Sequence, residues 1–309
     1  KSFAKKFMQK HHIPTAVYEI IENRCDVNKA IGKLEFPMVI KADGLAAGKG
    51  VVVVNDRNEA ETTINEYLNG KFGEASKKIV VEEFLTGQEL SLISLWDGHT
   101  LLPFIPAKDH KKLLNDNKGP NTGGMGAYCP LSLHKNEQKL LDNYITLLQN
   151  ALREEKTDFV GIVYSGLILT NEGLKVLEYN MRFGDPEAQA LMVHLESDLL
   201  SIFDNAIKRK LHEVKLNWKP GSSFCLVIAA NGYPDNPVKS SVIENIDDLE
   251  QTFGVKIFYA GVKKQNNILI ADGGRVLSIC KTNGIKDVYN AAKALKFSDK
   301  YYRTDIAER

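Results

Sequence analysis

Residues 36–54, FPMVIKADGLAAGKGVVVV, decide how the rest of the chain is read. Two short β-branched runs, 38–40 and 51–54, predict the buried strands of a hairpin. The loop between them carries Gly44, Gly48 and Gly50 together with Lys41 and Lys49. Glycine lets backbone approach a ligand closely and turn successive N–H groups toward an anion. Lysine adds a mobile point charge suited to phosphate. No G-x-x-x-x-G-K-[ST] leading into a helix is present, so this is not a P-loop. Taken alone, the stretch reads equally as a hairpin tip with solvated lysines.

The chain of 309 residues has room for two or three domains. A hydrophobic share of 43% and a charged share of 26% are those of an ordinary globular protein with a sizeable core. With a net charge of +1, neither a basic face for nucleic acid nor an acidic tail is expected. No apolar run reaches membrane-spanning length, and no signal peptide or membrane partner is expected. Cys25, Cys129, Cys225 and Cys280 are far apart and form no CxxC pair, which argues against structural zinc and for a reduced, cytoplasmic protein. The chain opens at Lys1 without a methionine, the pattern of a fragment.

Along the chain, Ser2 is placed to cap a short helix with Phe3, Phe7 and Met8 on one face, ended by Pro14. After the hairpin, 58–68 has helical spacing and 79–85 and 89–96 read as strands. Residues 107–129, AKDHKKLLNDNKGPNTGGMGAYC, are polar and turn-rich, a functional loop rather than a core element. An amphipathic helix is expected over 137–154, then strands at 161–170 and 174–179. Asp185-Pro186 signals an N-cap followed by a first-turn proline, with the helix running to about Arg209. Beyond Trp218-Lys219-Pro220-Gly221, strands at 224–230, 256–261, 268–271 and 275–280 and a helix at 285–295 predict a second α+β unit.

Glu178 and Asn180, in LEYN, stand at i and i+2 of a strand and so share a face. A carboxylate and an amide oxygen suit Mg²⁺, which takes hard oxygen ligands and keeps phosphates and water in its shell. The alternative is a polar strand edge facing water. Arg182 offers a planar fork for a carboxylate or phosphate, and capping accounts for Asp185, with a substrate role left open. Glu82, Glu83 and Glu89 bracket Phe84-Leu85 in VEEFLTGQE. Free backbone there suits a purine edge and Glu89 the ribose hydroxyls, or the segment is a charged strand end. Asp109, His110 and Lys111 with Asn121, Thr122, Gly123 and Gly124 form a polar loop able to wrap a small substrate, and His110 is given no acid–base role.

In their order these segments resemble the ATP-grasp superfamily, in which ATP lies between two α+β lobes. IKADGLAAGKGV, KDHK, GPNTGGMGAY and YNMRFGDPE are similar to the phosphoribosylamine–glycine ligase (glycinamide ribonucleotide synthetase) family of purine biosynthesis. AANGYP, YAGV and DGGRVL in the tail resemble that family's carboxy-terminal domain. The resemblance implies an α+β protein: an ATP-grasp fold with its large lobe over 1–19 and 85–215, a lid lobe over 20–84, and a small α+β domain over 216–309. It also implies an amino-terminal domain that this chain does not include. Lys112 stands where the family often has arginine, and Met181 where many members have cysteine.

The implied reaction joins glycine to 5-phosphoribosylamine through glycyl phosphate, using ATP and Mg²⁺ or Mn²⁺. The resemblance gives Lys41, Gly48, Lys49 and Gly50 the nucleotide phosphates, Glu82, Glu83, Phe84 and Leu85 the adenine, and Glu89 the ribose. It gives Glu178 and Asn180 the metal. Asp109, Asn121, Thr122, Gly123, Arg182 and Asp185 take the substrates, with Arg182, Asp109 and Asn121 at the chemistry. Loop 44–50 would close as a lid over the acyl phosphate. A monomer or weak dimer is expected. Two other readings remain open here: an ATP-grasp enzyme acting on another carboxylate, against which GPNTGGMGAY and RFGDPE argue, and a nucleotide-binding module without activity.

Overall fold

The computed structural model describes residues 1–46, 50–156 and 158–308. Helix α1 (Ser2–Lys10) and strand β1 (Tyr18–Ile21) lead to α2 (Val27–Ile31), the hairpin β2 (Met38–Ala42) and β3 (Val51–Val54), α3 (Arg57–Leu68) and β4 (Ile79–Glu83). Strands β5 (Gln88–Trp96), β6 (Leu101–Pro103), β7 (Lys108–Asp109), β8 (Lys112–Leu114), β9 (Lys118–Asn121) and β10 (Gly126–Cys129) come next. Then follow α4 (Lys135–Glu154), β11 (Gly161–Thr170), β12 (Gly173–Asn180), α5 (Glu187–His194), α6 (Leu199–Ile207) and β13 (Ser223–Ala230). The last part holds β14 (Val242–Ile243), α7 (Ile246–Phe253), β15 (Lys256–Tyr259), β16 (Val262–Gln265), β17 (Ile268–Ala271), β18 (Arg275–Thr282), α8 (Ile285–Ala294) and β19 (Lys300–Tyr301). Mixed helices and antiparallel sheets make this an α+β protein.

The chain divides into two compact units, the first comprising Lys1–Glu89, Leu133–Thr157 and Ser165–Asn180. Its antiparallel sheet has the order β1-β4-β2-β3. Met38, Ile40 and Ala42 alternate into a core shared with Ile79, Val81 and, from α3, Ala60, Ile64 and Tyr67. Each such large side chain contributes roughly 1.5–3 kcal/mol by leaving water. The hairpin forms as expected, but β3 is an edge strand and is not buried: Val51 and Val53 are exposed and only Val54 is fully buried. Ser2 also departs from its expected role. Lys1 occupies the N-cap position, and Ser2 N–H and Oγ both donate to the Asp43 carboxylate. Phe3 is exposed, and the buried residues of α1 are Met8 and Lys5.

The second unit comprises Leu90–Ser132, Asp158–Tyr164 and Met181–Arg309. Its sheet runs β15-β18-β13-β10-β7, with β19 also pairing β13. Stretch 107–129 is therefore not simply a loop. It supplies β7 and β10 to this sheet and folds β8 on β9, and Ala107, Met125, Ala127 and Cys129 are buried. Strands of two to four residues carry too little periodicity to show in sequence. The helix expected over 186–209 is two helices, since Leu195 leaves helical geometry and Asp198 caps α6 by accepting from Ser201 N–H at 2.8 Å. Asp185 is no cap: Pro186 holds that position and makes no side-chain cap bond.

Candidate functional site

In the first unit the site grows from the face of the β-sheet opposite the α3 core. Glu82 lies opposite Val39, which places it diagonal to Lys41 on the same face. Lys41 Nζ donates to Glu82 Oε2 at 2.8 Å and to the Leu177 carbonyl at 3.4 Å. Helix α1 covers this face and brings Lys5 Nζ to 3.2 Å from the same Glu82 oxygen. Both Lys5 and Glu82 are 2% exposed. Burial pulls the Lys5 ammonium down to about 8, with Glu82 working against that shift and Lys41 adding to it. One carboxylate between two ammonium groups leaves a net positive charge beside β12.

Lys1 adds to this charge. Its Nζ donates to the carbonyls of Ala42, at 2.6 Å, and Gly44, at 2.9 Å. Burial lowers its pKa, while Asp43 and Glu178 oppose. Sequence reasoning missed Lys1 and Lys5, because a lysine at the start of an amphipathic helix or within it reads as solvated. In the glycine loop, a Cβ on Gly44 would lie 2.6 Å from Ala75 Cα, and one on Gly50 would lie 2.6 Å from Ala46 Cβ. Gly44 thus allows close backbone approach, and Gly50 leaves room for the methyl groups of Ala46 and Ala42. Gly50 is buried, and its carbonyl accepts from Ala42 N–H at 2.8 Å. Gly48 and Lys49 lie outside the described residues.

Glu178 and Asn180 occupy alternate positions of β12, as expected. Between them Tyr179 points the other way, its hydroxyl 3.2 Å from that of Tyr144 on α4. Glu178 is exposed and Asn180 half-buried. Leu177, whose carbonyl receives Lys41, is the neighbour of Glu178. The donor set fits a hard cation that draws its remaining ligands from phosphate and water. No group of three or more His, Cys, Asp or Glu able to hold a metal occurs among the described residues.

At the end of β4 the Glu82 carboxylate accepts from Lys41 at 2.8 Å and lies 3.2 Å from Lys5 Nζ. Glu83 is also engaged: its N–H donates to Val17 O, and its Oε1 accepts from Val17 N–H at 3.0 Å and from Lys175 at 3.3 Å. Phe84 is exposed, Leu85 half-buried and Glu89 exposed. Gly87 packs so tightly that a Cβ there would run into the Leu169 carbonyl.

In the second unit, Asp109 on β7 lies opposite Ala127 of β10, and Asn121 closes the β8–β9 pair opposite Lys112. Thr122 Oγ1 donates to Lys111 O at 2.8 Å and accepts from Gly124 N–H at 3.0 Å. Gly123 donates its N–H to Tyr233 Oη at 2.9 Å and accepts from Arg275 Nη1 at 2.8 Å. Asp185 binds the same Arg275 through both carboxylate oxygens. Arg182 is exposed, with Nη1 donating to Phe183 O. His110 is buried, its Nδ1 without a hydrogen-bond partner and its pKa lowered to about 4 chiefly by burial.

The fold, with its glycine-rich hairpin loop, paired lysines and E-x-N strand, defines an ATP-grasp protein. Residues 1–188 match the family model "Phosphoribosylglycinamide synthetase, ATP-grasp (A) domain", and residues 223–309 match "Phosphoribosylglycinamide synthetase, C domain". The chain belongs to the phosphoribosylglycinamide synthetase family. Phosphoribosylamine–glycine ligase of Fusobacterium nucleatum is 40% identical over 315 residues, covering 99% of this chain and 74% of the relative. That of Clostridium acetobutylicum is 41% identical, covering 100% and 75%. The crystal structure of phosphoribosylamine–glycine ligase from Thermotoga maritima superposes with a TM-score of 0.84 at 33% identity, covering 99% of this chain and 78% of that one. The biotin carboxylase domain of Hydrogenobacter thermophilus 2-oxoglutarate carboxylase shares the fold at a TM-score of 0.73 and 15% identity, covering 97% of this chain and 66% of that one.

Proposed function

We propose that the residues described above carry out ATP-dependent ligation of glycine to 5-phosphoribosylamine, giving glycinamide ribonucleotide, ADP and phosphate for purine biosynthesis. The glycine carboxylate attacks the γ-phosphate of ATP, and glycyl phosphate and ADP result. The amine of phosphoribosylamine then attacks the acyl carbon and displaces phosphate. Catalysis of this kind is mainly positioning and charge neutralisation.

The observation that carries the residue assignment is Lys41, held 2.8 Å from Glu82 and reaching the β12 carbonyl next to Glu178. A fixed ammonium group thus reaches the backbone of the strand that carries Glu178 and Asn180. In this reading Lys41 and Lys49 hold the phosphates, Gly48 and Gly50 let backbone N–H groups approach them, and Glu89 takes the ribose. The backbone of Glu83, Phe84 and Leu85, next to Glu82, takes the adenine. Glu178 and Asn180 hold Mg²⁺ or Mn²⁺, which when bound neutralises phosphate oxygens. Asp109, Asn121, Thr122 and Gly123 receive glycine, and Arg182 steadies the acyl phosphate through its planar fork.

Residues 20–84 form the lid lobe, and loop 44–50 keeps water from the acyl phosphate. We assign the protein to the cytoplasm, as a monomer or weak dimer. Among the described residues no helix is long and apolar enough to cross a membrane. Calorimetric titration with Mg·ATP-γ-S tests the nucleotide assignment. The wild-type chain is expected to bind and a Lys49→Ala, Glu89→Ala double variant to lose binding, whereas equal binding by both would refute the assignment.

A further inference from the structure

Arg275 opens β18, about 150 residues from the loop it touches. Its Nη1 donates to Gly123 O at 2.8 Å, Asp185 O at 2.8 Å and Asp185 Oδ1 at 3.2 Å, and its Nη2 donates to Asp185 Oδ2 at 3.0 Å. The guanidinium thus joins two segments, the 121–124 loop and the Asp185-Pro186 turn. Tyr233 completes the hold by accepting from Gly123 N–H at 2.9 Å. Both backbone polar groups of Gly123 are bound by residues from the region that matches the C-domain model.

There is no slack in this arrangement. A Cβ on Gly123 would come 2.9 Å from Arg275 Cζ, and one on Gly124 would come 2.5 Å from Pro186 Cδ. A Cβ on Gly274 would overlap the Tyr233 ring. An isolated ion pair at the surface contributes little. Here the Arg275 side chain is only 22% exposed, and its donors converge on two carbonyls as well as a carboxylate. Only a planar fork meets all of these acceptors together, and an ammonium group does not. Both Asp185 oxygens are engaged, so Asp185 bears on the substrate through the loop it anchors.

We propose that Arg275 and Tyr233 are positioning residues, which clamp the 121–124 loop to the Asp185-Pro186 turn and so shape the pocket for the amino-acid substrate. This rests on the reading of Asn121, Thr122 and Gly123 as glycine-binding residues. Neither residue is assigned a contact with the reacting atoms.

The test is steady-state kinetics of the whole chain, with KM for glycine and for ATP measured separately, alongside thermal midpoints. Arg275→Lys and Tyr233→Phe are each expected to raise the glycine KM about tenfold, as misplaced binding groups do, with the ATP KM unchanged. Arg275→Lys combined with Asp185→Asn is expected to be no worse than Arg275→Lys alone, because both remove one shared interaction. An unchanged glycine KM in both single variants overturns the proposal, as does a parallel rise in both KM values with a lowered midpoint. Asn121→Ala separates the clamp from the glycine site. If it raises the glycine KM while Arg275→Lys does not, only the clamp is wrong. If it too leaves the glycine KM unchanged, the loop is not the glycine site and the clamp fails with it.

Discussion

Lys41 and Glu82 stand 2.8 Å apart on neighbouring strands, and the same Glu82 oxygen receives Lys5 at 3.2 Å. This arrangement fixes the ammonium group of Lys41 while leaving net positive charge for an anion. Removing one partner of a buried ion pair costs about 3–5 kcal/mol, because the remaining charge is uncompensated. The three members of the cluster are therefore unequal.

Glu82→Gln removes the carboxylate that two buried ammonium groups share and is expected to destabilise the chain by about 3 kcal/mol. Lys5→Met leaves a matched Lys41–Glu82 pair and is expected to cost clearly less. Urea denaturation of the two variants checks this. Equal losses would show that Glu82 does not balance both lysines.

His110 makes stability fall in acid. Its folded pKa of about 4 lies below the ordinary value of 6.5, chiefly through burial, with Arg303 and Lys108 adding to the effect. Between these values the unfolded chain binds the proton and the folded chain does not, so stability falls as pH drops from about 6.5 to about 4 and is unaffected above that window. The loss amounts to about 3 kcal/mol. Denaturation midpoints from pH 7 to pH 4 should fall less steeply for His110→Gln than for wild type, and parallel curves would exclude His110 as the source.

Much of the fold was legible where periodicity was strong. The β-branched run at 38–40 forms a strand as expected, though Met38, Ile40 and Ala42 alternate inward rather than burying both faces, and Glu178 and Asn180 share a strand face through the same period of two. Stretch 107–129 was not, because β7 and β10 are too short to show a pattern and are held by partners remote in sequence, such as β13. Burial of Lys5 follows from Glu82, and engagement of Asp185 from Arg275, about 90 residues away. Neither pairing leaves a local trace. The break at Leu195 did leave one, since Ser197-Asp198 is an N-cap signal inside an otherwise helical pattern.

Gly87 lies two residues before Glu89 and against the Leu169 carbonyl, with no space for a side chain. Gly87→Ala must displace that backbone, and overpacking of this kind costs roughly 1–3 kcal/mol. A lowered thermal midpoint together with a raised ATP KM is expected. A raised KM without loss of stability would contradict the steric account.

Glu178 and Asn180 are expected to support ATP cleavage that is coupled to glycine and phosphoribosylamine. The most direct measurement is ADP release by the wild-type chain and by Glu178→Ala, with each substrate omitted in turn and the fold monitored by circular dichroism. Release is expected to require both substrates and to be lost in a correctly folded Glu178→Ala variant. Release that is indifferent to glycine, or undiminished in Glu178→Ala, would contradict this.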